Sequence, residues 1–198
     1  MRQKEKKKKN RGTIKSIKGL CYSYFRIFEH VLALAGFLMI VYYSTFDVSV
    51  MISDSMAPTL QGTSQENGDW ILTEKITYCF RSPRRWELVA FENDSKVQVM
   101  KRVVGLQNER IALKNLKPVI NGKPVEVPES LHFLKYYAFG NLHGKREEYE
   151  CKNGFYLLGD NSRDSDDSRF NGSISPSKIT GRPWLRIWPL SRFGFVNP

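Results

Sequence analysis

The 198 residues suffice for one compact domain of ordinary size with appendages, and one catalytic domain is the simplest count. Nearly all of the net charge of +11 sits in the first 26 residues, where ten basic side chains face the single acid Glu5. The basic character belongs to a tail, which excludes the high pI as evidence for a nucleic-acid-binding domain.

Met1 to Lys18 is too charged to bury anything and is predicted to be disordered until it meets anionic lipid. A polybasic arm for nucleic acid is the rival reading. From Ile27 to Phe46 the sequence is IFEHVLALAGFLMIVYYSTF, in which only Glu29 and His30 are strongly polar, both near its first end. Such a helix spans about 30 Å, one hydrocarbon thickness. Phe25 and Arg26 suit the near interface; Tyr42, Tyr43 and Phe46 suit the far one. With the basic residues before it, the positive-inside rule puts the N-terminus in the cytoplasm and everything after Phe46 across the membrane. A cleaved signal peptide would have a shorter apolar core and a small-residue cleavage site, and a buried core helix would show a polar face. The tyrosines and Phe46 fit the first poorly, and Val31 to Tyr43 shows no polar face. The expected organisation is a basic cytoplasmic tail (1–26), a transmembrane helix (27–46) and an extracytoplasmic domain (47–198).

Met51 to Leu60, MISDSMAPTL, follows directly. A hydroxyl attacks an amide carbonyl only if a base takes its proton and donors await the oxyanion. Ser55 is the candidate nucleophile, and Ser53 and the backbone N–H of Ser55 are candidate oxyanion donors. An ordinary turn would need the Pro and Ser but neither the Met nor the Thr. Ser55 lies nine residues past Phe46, so its chemistry would be held within roughly 30 Å of the bilayer.

Beyond it the chain reads as β-structure. Gly68 to Ile76, Trp86 to Asn93 and Val97 to Leu106 are rich in β-branched and aromatic residues, separated by Pro83 and by Asn93, Asp94 and Ser95. Alternation sets Val97, Val99, Lys101 and Val103 on one face of the third strand and Gln98, Met100, Arg102 and Val104 on the other. A lysine in a row of valines either snorkels at an edge or is desolvated, and desolvation lowers its pKa. Shifted to about 8, it would be neutral about 10% of the time at pH 7 and available as a base for Ser55. Arg102 should be solvated or paired.

The segment from Asn108 to Asn153 is short and predicted to form a small β cap, in which Asn121-Gly122 is a strong hairpin signal. His132 and His143 fall there and His30 in the span, so a Ser-His-Asp triad has no obvious histidine and all three are read as structural. Cys21, Cys79 and Cys151 form no close-spaced pair or zinc spacing, and Cys79 and Cys151 are read as unpaired thiols, a bridge requiring an extracytoplasmic setting. Gly159 to Gly172, GDNSRDSDDSRFNG, follows an apolar strand. As a calcium loop aligned on Asp164 and Asp166 it would need Gly at Arg169 and Glu at Ser175. No metal or cofactor is expected.

In this order after one membrane span, SDSMAPTL, KRVVGL and GDNSRDSDDSRFNG resemble the type I signal peptidases, membrane-anchored serine proteases with a Ser/Lys dyad. The resemblance runs from Ile27 nearly to the C-terminus and includes TEKITYCFRSPRRWELVAF and ITGRPWLRIWPLSRFG. It implies a mainly β catalytic domain with a small β cap, preceded by one transmembrane helix. Ser55 matches the family nucleophile, Lys101 the general base and Ser53 the side-chain oxyanion donor. Ser165 matches the residue that orients the lysine, and Asp167 and Arg169 match a supporting ion pair. The chain departs from the family where Trp86-Glu87 opens a strand in place of Gly-Asp, where Gln107-Asn108-Glu109 replaces Pro-Gly-Asp, and where Ser162 precedes Arg163 after GDN. None of these removes a catalytic group.

The resemblance implies removal of signal peptides from exported preproteins, with small residues at P1 and P3. The expected partners are preproteins and the lipid bilayer, without nucleic acid, and the chain is expected to act as a monomer. A bacterial plasma membrane is the expected location, ahead of thylakoid or mitochondrial inner membrane. Two rivals stand beside this. One is a repressor-type self-cleaving Ser/Lys protease, disfavoured by the span and the absence of a DNA-binding helical domain. The other is a membrane-anchored binding module in which Ser55 and Lys101 are relics.

Overall fold

The computed structural model describes residues 2–139 and 148–196, so His143 lies outside the described residues. The chain divides into two units, 1–44 and 45–198.

The first unit is one helix, α1 (Arg2–Thr45). Within it Tyr22–Thr45 is 24 residues long and apolar enough to cross a membrane. Phe46, expected as the last residue of the span, instead opens a strand. The backbone of residues 2–18 is helical, not disordered as the charge density suggested. Lysine, glutamate and glutamine are good helix formers, and the apolar helix that follows removes the cost of nucleation.

The second unit is mainly β. Its elements are β1 (Phe46–Val50), β2 (Trp70–Glu74), α2 (Thr77–Phe80), β3 (Leu88–Glu92), β4 (Gln98–Gly105), β5 (Arg110–Lys114), β6 (Lys117–Ile120) and β7 (Lys123–Pro124). After these come β8 (Tyr149–Glu150), β9 (Tyr156–Leu158), α3 (Ser168–Asn171), β10 (Ile179–Trp188) and β11 (Gly194–Phe195). One seven-stranded antiparallel sheet runs β1-β2-β10-β3-β4-β9, with β11 on β10. Strand β10 is long enough to pair with both β2 and β3, and its register shifts around Gly181, Pro183 and Arg186 bend it between them. At Gly181 the backbones crowd so closely that a Cβ would meet the Glu74 carbonyl oxygen at 2.5 Å.

A second sheet, β7-β6-β5-β8, forms the cap. Asn121 and Gly122 join β6 to β7 with φ of 51° and 77°, the two positive values that a two-residue hairpin turn requires. The cap buries Ile111, Leu113, Ile120 and Tyr136 against Val104, Tyr156 and Leu158 of the larger body. A separate core of Met51, Met56, Leu60, Ile71, Leu88, Ala90 and Met100 packs one face of the main sheet, and Val89, Phe91, Val103, Phe155 and Leu157 form a third cluster.

Among the described residues, two open stretches of the main sheet lie next to the site. Strand β1 pairs only with β2. Strand β9 covers β4 only from Arg102 onward, so Gln98–Lys101 pairs on one side alone, with β3.

Candidate active site

Ser55 sits in a single 3-10 turn, Asp54–Met56, directly after extended Ser53. The residues an ordinary turn would not need have specific work. Met56 and Leu60 are fully buried and anchor the turn in the core, while the Thr59 hydroxyl donates to the Asp160 carboxylate. The Ser55 carbonyl accepts from Asn161 N–H at 3.0 Å, tying the turn to the acidic-serine loop.

Lys101 is 2% exposed, and its Nζ lies 2.6 Å from Ser55 Oγ. Burial drives its pKa down to about 8 against the opposing pull of Asp167 and Asp160, since an ammonium loses more hydration there than these carboxylates return. The alternative of snorkelling at an edge is thereby corrected: although Lys101 stands on the half-open part of β4, its side chain is buried with its amine on Ser55. Ser53 Oγ is 3.2 Å from Ser55 Oγ, on the exposed side of the turn.

Arg102, on the opposite face, is paired, as one of its two expected states. It is fully buried and grips Asp160 through Nε (2.8 Å) and Nη2 (2.7 Å), with Nη1 donating to the Trp86 carbonyl at 2.7 Å. Asp160 was not singled out in the sequence. Its signal was there in an arginine facing a packed side of β4, which demands a carboxylate.

In the loop, Asp167 caps α3 and pairs with Arg169 through two contacts of 2.8 Å, both side chains fully buried. The same carboxylate accepts from Ser165 Oγ at 2.8 Å and from Gly159 N–H at 3.0 Å. The Ser165 hydroxyl proton is thus spent on Asp167, which leaves the oxygen's lone pairs for an amine. Among the described residues the hydrogen bond of Lys101 goes to Ser55, not to Ser165. Gly159 lies between the two serines: a Cβ there would sit 2.2 Å from Ser165 Oγ and 2.5 Å from the Ser55 carbonyl oxygen. No side chain larger than hydrogen fits, and this close approach was invisible in the sequence.

The departures from the family pattern are absorbed locally. Ser162 accepts from Arg169 Nη1 at 2.7 Å and from Tyr137 N–H at 3.0 Å, and Arg163 stacks on the Tyr137 ring. Glu109 accepts from Leu106 N–H and pairs with Arg85, and Glu87 pairs with Arg81. Cys79 is exposed and Cys151 buried, each a free thiol, and burial raises the Cys151 pKa to about 12.

A buried hydroxyl touching an amine of lowered basicity can exchange a proton and attack a carbonyl, which is hydrolytic chemistry, and the molecule takes its place among the hydrolases. Comparison with known proteins narrows that class to a peptidase. Residues 24–188 match Signal peptidase, peptidase S26, and the chain belongs to that family. It is 33% identical over 157 residues to a signal peptidase I of Bacillus caldolyticus, covering 76% of this chain and 84% of that one. With a signal peptidase I of Leptolyngbya laminosa it shares 34% over 155 residues, covering 74% and 70%. A solved signal peptidase I of Enterococcus faecalis aligns with a TM-score of 0.40 and 22% identity over 52% of this chain and 97% of that one.

Proposed function

We propose that the chain cleaves signal peptides from exported preproteins with Ser55 as nucleophile and Lys101 as general base, at the outer face of a membrane that α1 spans. The observation that carries this is the 2.6 Å contact between Lys101 Nζ and Ser55 Oγ in a buried setting. With the amine neutral the hydrogen bond reverses: the hydroxyl donates, and its proton passes to nitrogen as Oγ bonds to the scissile carbonyl carbon. The carbonyl electron pair moves to oxygen, where Ser53 Oγ and the Ser55 N–H donate. Collapse breaks the C–N bond, and Lys101 returns its proton to the departing amine. Lys101 then takes a proton from a water as its oxygen bonds to the acyl carbon, and collapse breaks the C–Oγ bond while Lys101 returns that proton to Ser55 Oγ.

Ser165 aims the lysine through its free lone pairs, without supplying a charge that would favour ammonium. Asp167 and Arg169 hold the loop. The open edges of β1 and of Gln98–Lys101 both lead to Ser55 and are where an extended substrate strand adds. Basic residues in α1 ahead of its apolar stretch and none in its last turn support a cytoplasmic N-terminus.

The test is cleavage of a preprotein by the purified full chain in detergent. Ser55→Ala and Lys101→Met should each abolish processing while leaving the protein folded; full activity in either variant would end the proposal.

A further inference from the structure

A guanidinium carries five N–H donors, and Arg169 spends all of them. Nε and Nη2 donate to the two Asp167 carboxylate oxygens, each at 2.8 Å, and Nη2 donates again to the Ser165 carbonyl at 3.3 Å. Nη1 donates to the Ser162 hydroxyl oxygen at 2.7 Å and to the Tyr137 carbonyl at 3.2 Å. Ser162 is 3% exposed, and the same oxygen accepts from Tyr137 N–H at 3.0 Å. One buried hydroxyl therefore joins the loop that carries Ser165 to residues 137–139, which continue from the cap. Tyr136 fixes that segment at its start, its N–H on the Leu116 carbonyl at 2.9 Å and its ring buried among Leu131 and Leu134. Further along, the Phe139 ring lies 4.7 Å from the Arg169 guanidinium carbon, and Arg163 Nη2 donates to the Tyr137 hydroxyl at 2.8 Å.

The hydrolytic steps use none of Ser162, Tyr137 and Phe139, yet all three bear on the group that holds Asp167. A guanidinium is a rigid planar fork, and Asp167 grips only the edge formed by Nε and Nη2. The Nη1 corner is held by Ser162 and Tyr137, and Phe139 covers the face. Position 162 is one of the chain's departures from the family pattern, so a hydroxyl clasp at this corner is a feature of this chain. Burial lowers the Lys101 pKa, Asp167, Asp160 and Asp166 raise it, and the Arg169 charge offsets part of that rise. An Arg169 that swings away from Asp167 would leave a more basic lysine and a Ser165 without a fixed direction.

We propose that Ser162 is a positioning residue: with Tyr137 and Phe139 it locks the Arg169 fork, which keeps Asp167, and through it Ser165, in line with Lys101. This rests on the peptidase reading above, in which Ser165 aims the lysine. The cap thereby contributes to the reaction without touching the substrate or the reacting atoms.

The experiment measures kcat, KM and the pH profile of kcat/KM for preprotein cleavage by the purified full chain in detergent, with folding followed by thermal melting. Ser162→Ala should lower kcat roughly tenfold, the worth of one hydrogen bond to a charged group, and leave KM within about twofold. The apparent pKa of its profile should move to higher pH. Phe139→Leu, at a ring that is 39% exposed, should act in the same directions with a loss of roughly threefold, and it decides the matter if Ser162→Ala does not fold. An unchanged kcat in the deciding variant would overturn the proposal. So would a loss carried by KM alone, or a fall in kcat with the pH profile unmoved, which is the mark of a purely structural contact. A natural chain that cuts no preprotein would overturn the peptidase reading instead.

Discussion

In its proposed role Lys101 carries opposing demands, because the burial that would make it a usable base also makes its ammonium costly. Its lowered pKa of about 8 predicts that kcat/KM rises with pH through an apparent value near 8, well below that of a free lysine. A pH-independent profile would count against a lysine base. Stability follows the same shift. Between pH 8 and 10.5 the unfolded chain keeps a proton that the folded chain has lost, so stability rises with pH in that window. Below pH 8 the folded state bears the full penalty, about 3 kcal/mol for a shift of this size. Lys101→Met should therefore be more stable than the natural chain at pH 7, and the difference should shrink towards pH 10.5 in chemical denaturation. Ser55 and Lys101 were legible in sequence because a rare local string and a charge among valines each carry their own signal. Asp160 was not, since its role depends on Arg102 of β4 lying across from the loop that carries it.

Among the elements, the acidic-serine loop fixes the site's geometry. Asp167 holds three donors at once, Ser165, Gly159 and Arg169, and Gly159 admits Ser165 and Ser55 to the same small space. Gly159→Ala would push a methyl into both serines, and kcat should fall on the order of 100-fold with a smaller change in KM. Steady-state kinetics on one peptide would show it. Arg102→Met would leave Asp160 buried and unpaired, and a loss of about 3–5 kcal/mol is expected in denaturant unfolding. The strands and the Asn121-Gly122 hairpin were legible because alternation and turn chemistry are local. The long β10 with its bulges was not, nor was the open half of β4, because both are set by which strands lie next to them. The basic tail was misread for a related reason: charge density argues against burial, but a helix continued from an apolar one need bury nothing.

At the scale of the whole molecule, an apolar helix and a β-rich peptidase unit make a membrane-held enzyme. With the proposed orientation, protease added outside intact spheroplasts should digest the 45–198 unit and spare the tail; protection of that unit would reverse the assignment. The central claim is that a neutral Lys101 activates Ser55 to cut preproteins. Its most direct test is preprotein processing by the full chain in detergent, followed across pH for the natural protein and for Lys101→Met. Mature product should increase through an apparent pKa near 8 for the natural protein and be absent at every pH for the variant. Processing by Lys101→Met at the natural rate would contradict it.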